Sequence, residues 1–455
     1  MNLHRMLQQR AAQGRPVRVG VIGCGKFAAM YLAQAPTTPG LHIMGIADLA
    51  PARAREQLAR VGWDQARFAA RSFGEAIDQG TTFLTDDVRA LVAHPAIDVI
   101  VESTGHPPSA VRHALLAFGA KKHVVMVTVE ADAFVGPLLA RRAVEAGVIY
   151  SLAYGDQPAL ICDLVDWARA AGFQVSAAGR GHKWLAPYAQ STPETVWDHY
   201  GLTEEQARLG GMNPQMFNSF LDGTKPAIES TAVANATGLT PAPGGLAFPP
   251  CGTEDLPHVM RPRDEGGFLD HMGQVEVVSS LERDGRPVTR DIRWGVWVVM
   301  KAPNEYVKRC FKEYGMVTDA SGSYGVMYKR WHLIGLELGI SVASVVLRGE
   351  STGSPTGFRA DAIAAAKRDL KPGETLDGEG GYTVCGKLLP AAQSLAIGAF
   401  PIGLAHGVKV TRPVKQGAIV TWADVAADQA DDVVQFRREM ERSFATPSPS
   451  ARAAE

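Results

Sequence analysis

"VRVGVIGCGKFAAMYLAQA", residues 17–35, opens with the β-branched run Val17 to Ile22, breaks at a glycine turn, and continues with a helical pattern. The opening run suits a strand buried on both faces. The break, Gly23-Cys24-Gly25-Lys26-Phe27-Ala28, is a G-x-G-x-x-A turn. In a dinucleotide fingerprint the first glycine permits the tight turn and the second lets pyrophosphate approach the backbone. The small third residue lets helix and strand pack closely. The N–H groups at the helix start then face the phosphates. Gly23, Gly25, Lys26 and Phe27 are therefore candidate cofactor-binding residues.

The surroundings support that reading. "LHIMGIADL" (41–49) is a second apolar strand, ending in Asp48 at the distance where an acid holds the adenosine ribose hydroxyls. Asp48 favours NAD, because a carboxylate repels a 2′-phosphate. Arg53 and Arg55 lie just beyond and can turn toward one, so NADP stays open. "AIDVIVESTG" (96–105), "KHVVMVTVE" (122–130) and "VIYSLAYGDQP" (148–158) read as further strands, with helical segments 107–120 and 133–147 between them. Repeated β-α-β order means a Rossmann-type, doubly wound parallel sheet, whose ligands lie beyond the carboxyl ends of the strands. Ser103, Thr104, Gly105 and Thr128 stand there as cofactor candidates, and Asp156 and Gln157 as substrate candidates. Glu130 joins the catalytic candidates and, with Asp132, forms a carboxylate pair for a divalent ion.

At 455 residues, 46% hydrophobic and 20% charged, the chain is expected to be a soluble protein of two or three domains. A formal net charge of −1 leaves no electrostatic footprint for nucleic acid or a membrane surface. No apolar run approaches the ~20 residues needed to span a bilayer. "MNLHRMLQQRAAQGR" at the start lacks the apolar core of a signal peptide, and five scattered cysteines suit a reducing compartment. The expectation is a cytoplasmic protein acting on a small molecule. The boundaries read as 1–174 for the dinucleotide domain, 175–350 for an α+β substrate and dimerisation domain, and 351–440 for a small β-rich module. Residues 441–455 read as a disordered tail.

In the middle region, "QVEVVSSLERDGRPVTRDIRWGVWVVMKAP" (274–303) reads as a hairpin about Asp284-Gly285. The long apolar stretch "LIGLELGISVASVVL" (333–347) needs cover, which suggests a homo-oligomer, dimer or tetramer. "NSFLDGTKPAIES" (218–230) places Lys225 between Asp222 and Glu229 at a helix start, with Pro226 in the first turn and Gly238 as the stop. The positive end of the helix dipole disfavours an ammonium there, as suits a proton carrier working near neutrality, while the two acids pull the other way. Lys225, Asp222 and Glu229 are the catalytic candidates of this half.

On "VGVIGCGKFA", "VESTG", "KHVVMVTVEAD", "YGDQPALI", "FLDGTK" and "LIGLELGISVAS", the chain resembles the homoserine-dehydrogenase-like NAD(P) oxidoreductases with a C-terminal SAF domain. The closest resemblance is to the deoxyxylulose-phosphate reductoisomerase-like enzymes of isoprenoid synthesis. The resemblance implies that Lys225, with Asp222, is the acid/base. It also implies a hydroxycarbonyl or sugar-phosphate substrate such as 1-deoxy-D-xylulose 5-phosphate. Arg180, His182, Lys183, Lys329, Arg330 and His332 are the cations available for a phosphate, Lys183 and His332 foremost. Val129-Glu130 and "GRGHKWLAP" (179–187) replace motifs of true homoserine dehydrogenases, which argues against homoserine itself. A dehydrogenase of another hydroxy compound, or a non-catalytic nucleotide-responsive protein, are the alternatives. "RDLKPGETLD" (368–377) and "RPVKQGAIVT" (412–421) are alike, as two halves of a small pseudo-symmetric β module would be; the module resembles the SAF (β-clip) domain.

Overall fold

The computed structural model describes residues 2–209 and 212–445. The chain forms two compact units that alternate along it. The first takes in residues up to Asp163 and then His332–Pro355. The second takes Leu164–Trp331 and continues from Thr356.

The first unit is built on six parallel strands: β1 Val17–Ile22, β2 Leu41–Ala47, β3 Phe83–Thr85, β4 Val99–Glu102, β5 His123–Met126 and β6 Tyr150–Leu152. Their order, β3-β2-β1-β4-β5-β6, is that of a dinucleotide-binding sheet, with the change of direction between β1 and β4. Apart from one half-exposed arginine, β1 is buried along its length, as expected of a strand with helices over both faces. β5 ends at Met126, and a helix starts at Val129, so Val129 and Glu130 lie in a first helical turn rather than in a strand.

The later part of the apolar stretch 333–347 packs into this unit's core. Leu338, Val342, Ala343 and Val345 pack with Val17, Val19, Leu32 and Val99. Burying side chains of this size contributes roughly 1.5–3 kcal/mol each. Part of the cover that suggested an oligomer is therefore supplied by the chain itself, while Leu333 and Leu336 stay exposed. The same returning segment closes the β6 edge: Leu152 N–H donates to Gly353 O at 2.8 Å, and Thr352 N–H to Ser151 Oγ at 3.0 Å.

The second unit holds a four-stranded sheet of β7 Gln174–His182, β8 Gln274–Ser279, β9 Val296–Lys301 and β10 Tyr324–Lys329, in the order β10-β9-β7-β8. The expected hairpin is confined to residues 280–288, where Leu281 and Pro287 pair antiparallel; β8 and β9 do not pair with each other. β8 pairs parallel with β7, and β9 pairs antiparallel with the opposite edge of β7. The Asp284-Gly285 turn does form, with Glu282 N–H donating to Arg286 O at 2.8 Å and Gly285 at φ +89°. Gly179 and Gly181 explain how β7 fits between them: a Cβ on Gly179 would stand 1.7 Å from Glu276 O, and one on Gly181 2.0 Å from Ile292 O.

Helix Thr224–Thr237 runs through the middle of this unit, with Gly238 at φ +76° as its C-cap. It is buried on nearly every side because it packs on β7 and β8 and on two further strands, β11 Ala360–Ala366 and β13 Val384–Pro390. β11 and β13 form an antiparallel pair, and β12 Thr375–Asp377, β14 His406–Val410 and β15 Val425–Ala426 make a small separate sheet. The two similar segments meet at Leu370 and Val414, which exchange both backbone hydrogen bonds, at 2.8 and 3.1 Å.

Residues 441–444 of the expected tail are helical. A helix spans Asp432–Phe444, and Glu441 in its last turn accepts from Arg437 Nε at 2.9 Å and from Trp422 Nε1 at 3.2 Å. Residues 446–455 of that expectation lie outside the described residues. Among the described residues no helix is long and apolar enough to cross a membrane.

Candidate active site

β1 ends at Ile22, and Gly23 turns the chain at φ +89°. A Cβ there would lie 2.8 Å from Ser103 O, so conformation and space both require glycine. Gly25 differs. It caps helix Lys26–Gln34 in an extended conformation, and nothing lies within 4 Å of where its Cβ would stand. That open side, at a helix N-terminus, is the space a pyrophosphate needs. Lys26 is exposed there, Phe27 half-buried and Ala28 fully buried against the sheet.

Asp48 follows β2. Its Oδ2 accepts from Cys24 N at 2.8 Å and its Oδ1 from Ala50 N at 2.9 Å. Arg53 lies beside it, 3.7 Å from Oδ1, whereas Arg55 donates to Phe68 O at 3.3 Å. Burial first, and the Asp48 charge second, push the Cys24 thiol up to about 11, so it stays neutral within the turn.

The ends of β4 and β5 are organised by a fully buried acid, Glu102. Its Oε1 accepts from Thr104 Oγ1 at 2.6 Å and lies 3.2 Å from His113 Nδ1. Its Oε2 accepts from Thr128 Oγ1 at 2.5 Å. Thr128 Oγ1 in turn accepts from Gly105 N at 3.0 Å, and Ser103 Oγ donates to the carbonyls of Ile22 and Gly23, both at 3.0 Å. The hydroxyls of Ser103, Thr104 and Thr128 thus hold the strand ends together around the glycine turn. Sequence reading passed over Glu102; the available signal was an acid closing an otherwise apolar strand.

Glu130 and Asp132 stand two residues apart in helix Val129–Ala146, a spacing that turns their side chains to different sides. Asp132 is fully buried, with Oδ1 accepting from Tyr150 Oη at 2.8 Å and Oδ2 without a hydrogen-bond partner. Burial pushes this carboxyl up to about 7. Glu130 is half-buried in the same helical turn. No group of three or more His, Cys, Asp or Glu suited to a metal occurs among the described residues. Asp156 and Gln157, both buried, start helix Gln157–Ala170, where Gln157 N–H donates to Asp156 Oδ1 at 2.9 Å. His332, half-buried, lies in the first unit as well.

The second unit carries the lysine. After helix Pro214–Leu221, Asp222 turns into Gly223 at φ +90°, and helix Thr224–Thr237 begins, with Lys225 second in it and half-buried. The two flanking acids each face a cation of their own. Asp222, fully buried, sits 2.6 Å from Lys367 Nζ, while its Oδ1 accepts from Thr224 N at 2.9 Å. Burial raises the Asp222 carboxyl above its ordinary range, and Lys367 opposes that shift. Glu229 is buried in an ion pair with Arg180. That guanidinium holds the Glu229 carboxylate four residues along the helix from Lys225.

Arg180 and His182, counted as phosphate ligands in sequence, are buried structural groups. His182 Nε2 lies 2.6 Å from Phe220 O. Burial, then the Arg180 charge, hold this imidazole well below its ordinary range, so the ring is neutral and Nε2–H donates. Lys183 is half-buried and donates to His199 O at 2.6 Å; burial lowers its ammonium, with Arg293 adding to the effect. Trp184 stacks on Phe248 with centroids 4.5 Å apart, beside Gly223.

Residues 155–338 match the family model described as oxidoreductase DRL, catalytic domain. That span contains Lys183, Asp222, Lys225 and Glu229 but neither the glycine turn nor Lys367. Solved structures with partial likeness include a probable dehydrogenase from Thermotoga maritima, at 14% identity and TM-score 0.36, covering 73% of this chain and 90% of that one. Myo-inositol dehydrogenase from Lactobacillus casei, in complex with NAD(H) and myo-inositol, is 14% identical at TM-score 0.28, covering 40% and 50%. The WlbA dehydrogenase from Bordetella pertussis, in complex with NADH and UDP-GlcNAcA, is 18% identical at TM-score 0.27, covering 38% and 49%. Likenesses this weak carry nothing about substrate or cofactor. No curated protein matches the chain. By its family match, the chain is an enzyme of the oxidoreductase class.

Proposed function

We propose that the protein is an NAD- or NADP-dependent oxidoreductase of a small hydroxycarbonyl compound, with Lys225 as its proton carrier. One observation carries the cofactor half of this reading: the open backbone at Gly25, at a helix N-terminus and tied through Cys24 to Asp48. A nicotinamide cofactor, when bound, supplies or takes the hydride. The glycine turn and the N–H groups of helix Lys26–Gln34 would hold its pyrophosphate. Asp48 and Arg53 would meet the adenosine ribose, and the Glu102 network would keep the strand ends rigid beneath it.

The lysine half rests on the place of Lys225 in the first turn of a helix and on the pairing of charges around it. Asp222 faces Lys367 and Glu229 faces Arg180, so each acid flanking Lys225 has its charge balanced by another cation. As ammonium, Lys225 polarises a carbonyl and gives its oxygen a proton; as amine, it takes the proton from a hydroxyl. Among the narrower readings, a sugar-phosphate reductoisomerase asks for several cations at the substrate. Arg180, His182 and Lys183 are engaged by Glu229, Phe220 O and His199 O, which favours a simple dehydrogenase. The likeness of residues 351–440 to a SAF domain stays part of this proposal.

The test is oxidation of NADH and NADPH against a panel of hydroxyaldehydes, hydroxyketones, sugar phosphates and homoserine, repeated with Lys225→Ala. Turnover should fall by roughly 100- to 10,000-fold in the variant, with cofactor affinity retained. Full turnover without the amine would end the assignment.

A further inference from the structure

The segment that follows Thr356 contributes more than β structure. Lys367, next to the end of β11, is buried, and its ammonium has three donors to place. One faces the Asp222 carboxylate at 2.6 Å, and the others go to Ser191 O and Gly381 O, each at 2.8 Å. Further contacts grip the same turn. Gly386 N–H donates to Thr224 Oγ1 at 2.7 Å, and a Cβ on Gly386 would stand 3.0 Å from Thr224 Cγ2. Asn218 Nδ2 donates to Gly380 O at 2.8 Å, and Gln215 Nε2 reaches Asp377 O and Glu379 O, both at 3.0 Å. The turn carrying Lys225 is thus fastened to the C-terminal segment from Gln215 through Thr224.

We infer that Lys367 is a positioning residue for the proposed reaction: through Asp222 it sets the first turn of helix Thr224–Thr237 and thereby the place of the Lys225 amine. The inference rests on the assignment of Lys225 as proton carrier. Stability alone does not account for the pair, because a buried ion pair is commonly matched or bettered by apolar side chains of the same volume. What apolar side chains would not reproduce is the link from Lys367 through one carboxylate oxygen of Asp222 to the helix, where the other accepts from Thr224 N. Cys385 of β13 is a further titratable neighbour, with Lys387 beyond it. Burial, and then Asp222, push its thiol up to about 11, so it adds no competing charge.

The experiment compares the full-length chain with Lys367→Met, Asp222→Asn and the double variant. The double variant removes both charges and should recover most of the melting temperature lost in Lys367→Met. Lys225 is read directly, by its rate of acetylation with acetic anhydride at pH 8, followed by peptide mass spectrometry with Lys183 as internal reference. The Lys225 rate should change at least threefold in the double variant relative to wild type, with the Lys183 rate unchanged. Turnover on the best compound of the panel should stay at least tenfold down, while NADH binding changes less than twofold. Wild-type acetylation and turnover in the double variant would overturn the inference. Should the double variant not fold, Asp222→Asn, nearly isosteric, is scored on the same two readouts in the same way. Failure of the underlying assignment looks different, because Lys225→Ala would then keep its turnover whatever acetylation shows.

Discussion

Asp48 Oδ2 accepts the amide proton of Cys24 at 2.8 Å, so the acid that ends β2 is fastened to the peptide between the two glycines of the turn. A single carboxylate therefore shapes the loop proposed for pyrophosphate and, on the same proposal, meets the ribose. Asp48→Ala should weaken both cofactors through the loop and NADH by a further tenfold or more, because a 2′-phosphate gains from the lost negative charge and from Arg53. Fluorescence titration with NADH and NADPH decides it. An equal loss for both would confine Asp48 to the loop.

The two glycines should respond in opposite ways. Gly23→Ala forces a Cβ to 2.8 Å from Ser103 O at a left-handed φ, and should lower the melting temperature clearly. Gly25→Ala meets no neighbour, so stability should hold within about 1 kcal/mol while cofactor affinity drops. A Gly25→Ala variant with unaltered cofactor affinity would remove that face from the binding site.

Asp132 gives a pH signature. Its carboxyl is pushed up to about 7, above the value near 4 of an exposed aspartate, so the folded chain binds its proton more tightly than the unfolded chain does. The native state carries no penalty from this group below pH 4, an increasing one between 4 and 7, and the full one above. Asp132→Asn should therefore be more stable than wild type at pH 8, by about 2–4 kcal/mol, with the gain shrinking toward pH 5. Thermal melts at the two pH values measure the difference. A gain equal at both would mean that Asp132 does not titrate in this range.

The parts of the fold that were legible in sequence are those decided by neighbours along the chain. The β-branched run 17–22, the glycine turn, the acid at 48, Pro226 in a first helical turn and Gly238 as a stop all act within a few residues of themselves. What was hidden depends on edges and partners far apart. Asp284-Gly285 does make its turn, but no local signal says that β7 separates β8 from β9. The run 333–347 reads correctly as apolar, yet nothing in it states that β1 and its neighbours supply part of the cover. Asp222 and Glu229 were legible as acids near Lys225; their actual cations, Lys367 and Arg180, are distant in sequence and became visible only once the strands were placed. Glu102 shows as an acid closing an apolar strand, but nothing in the strand says that it holds Thr128 and His113.

The alternation of the two units has a consequence during synthesis. β6 emerges from the ribosome long before Leu338, Val342 and Val345, the residues that complete the same core. At roughly 5–20 residues per second the interval is on the order of ten seconds or more. Throughout it, the nascent sheet shows greasy surface and an unpaired β6 border to its surroundings. This chain should lean on a ribosome-side chaperone more than a protein whose domains are translated one after the other.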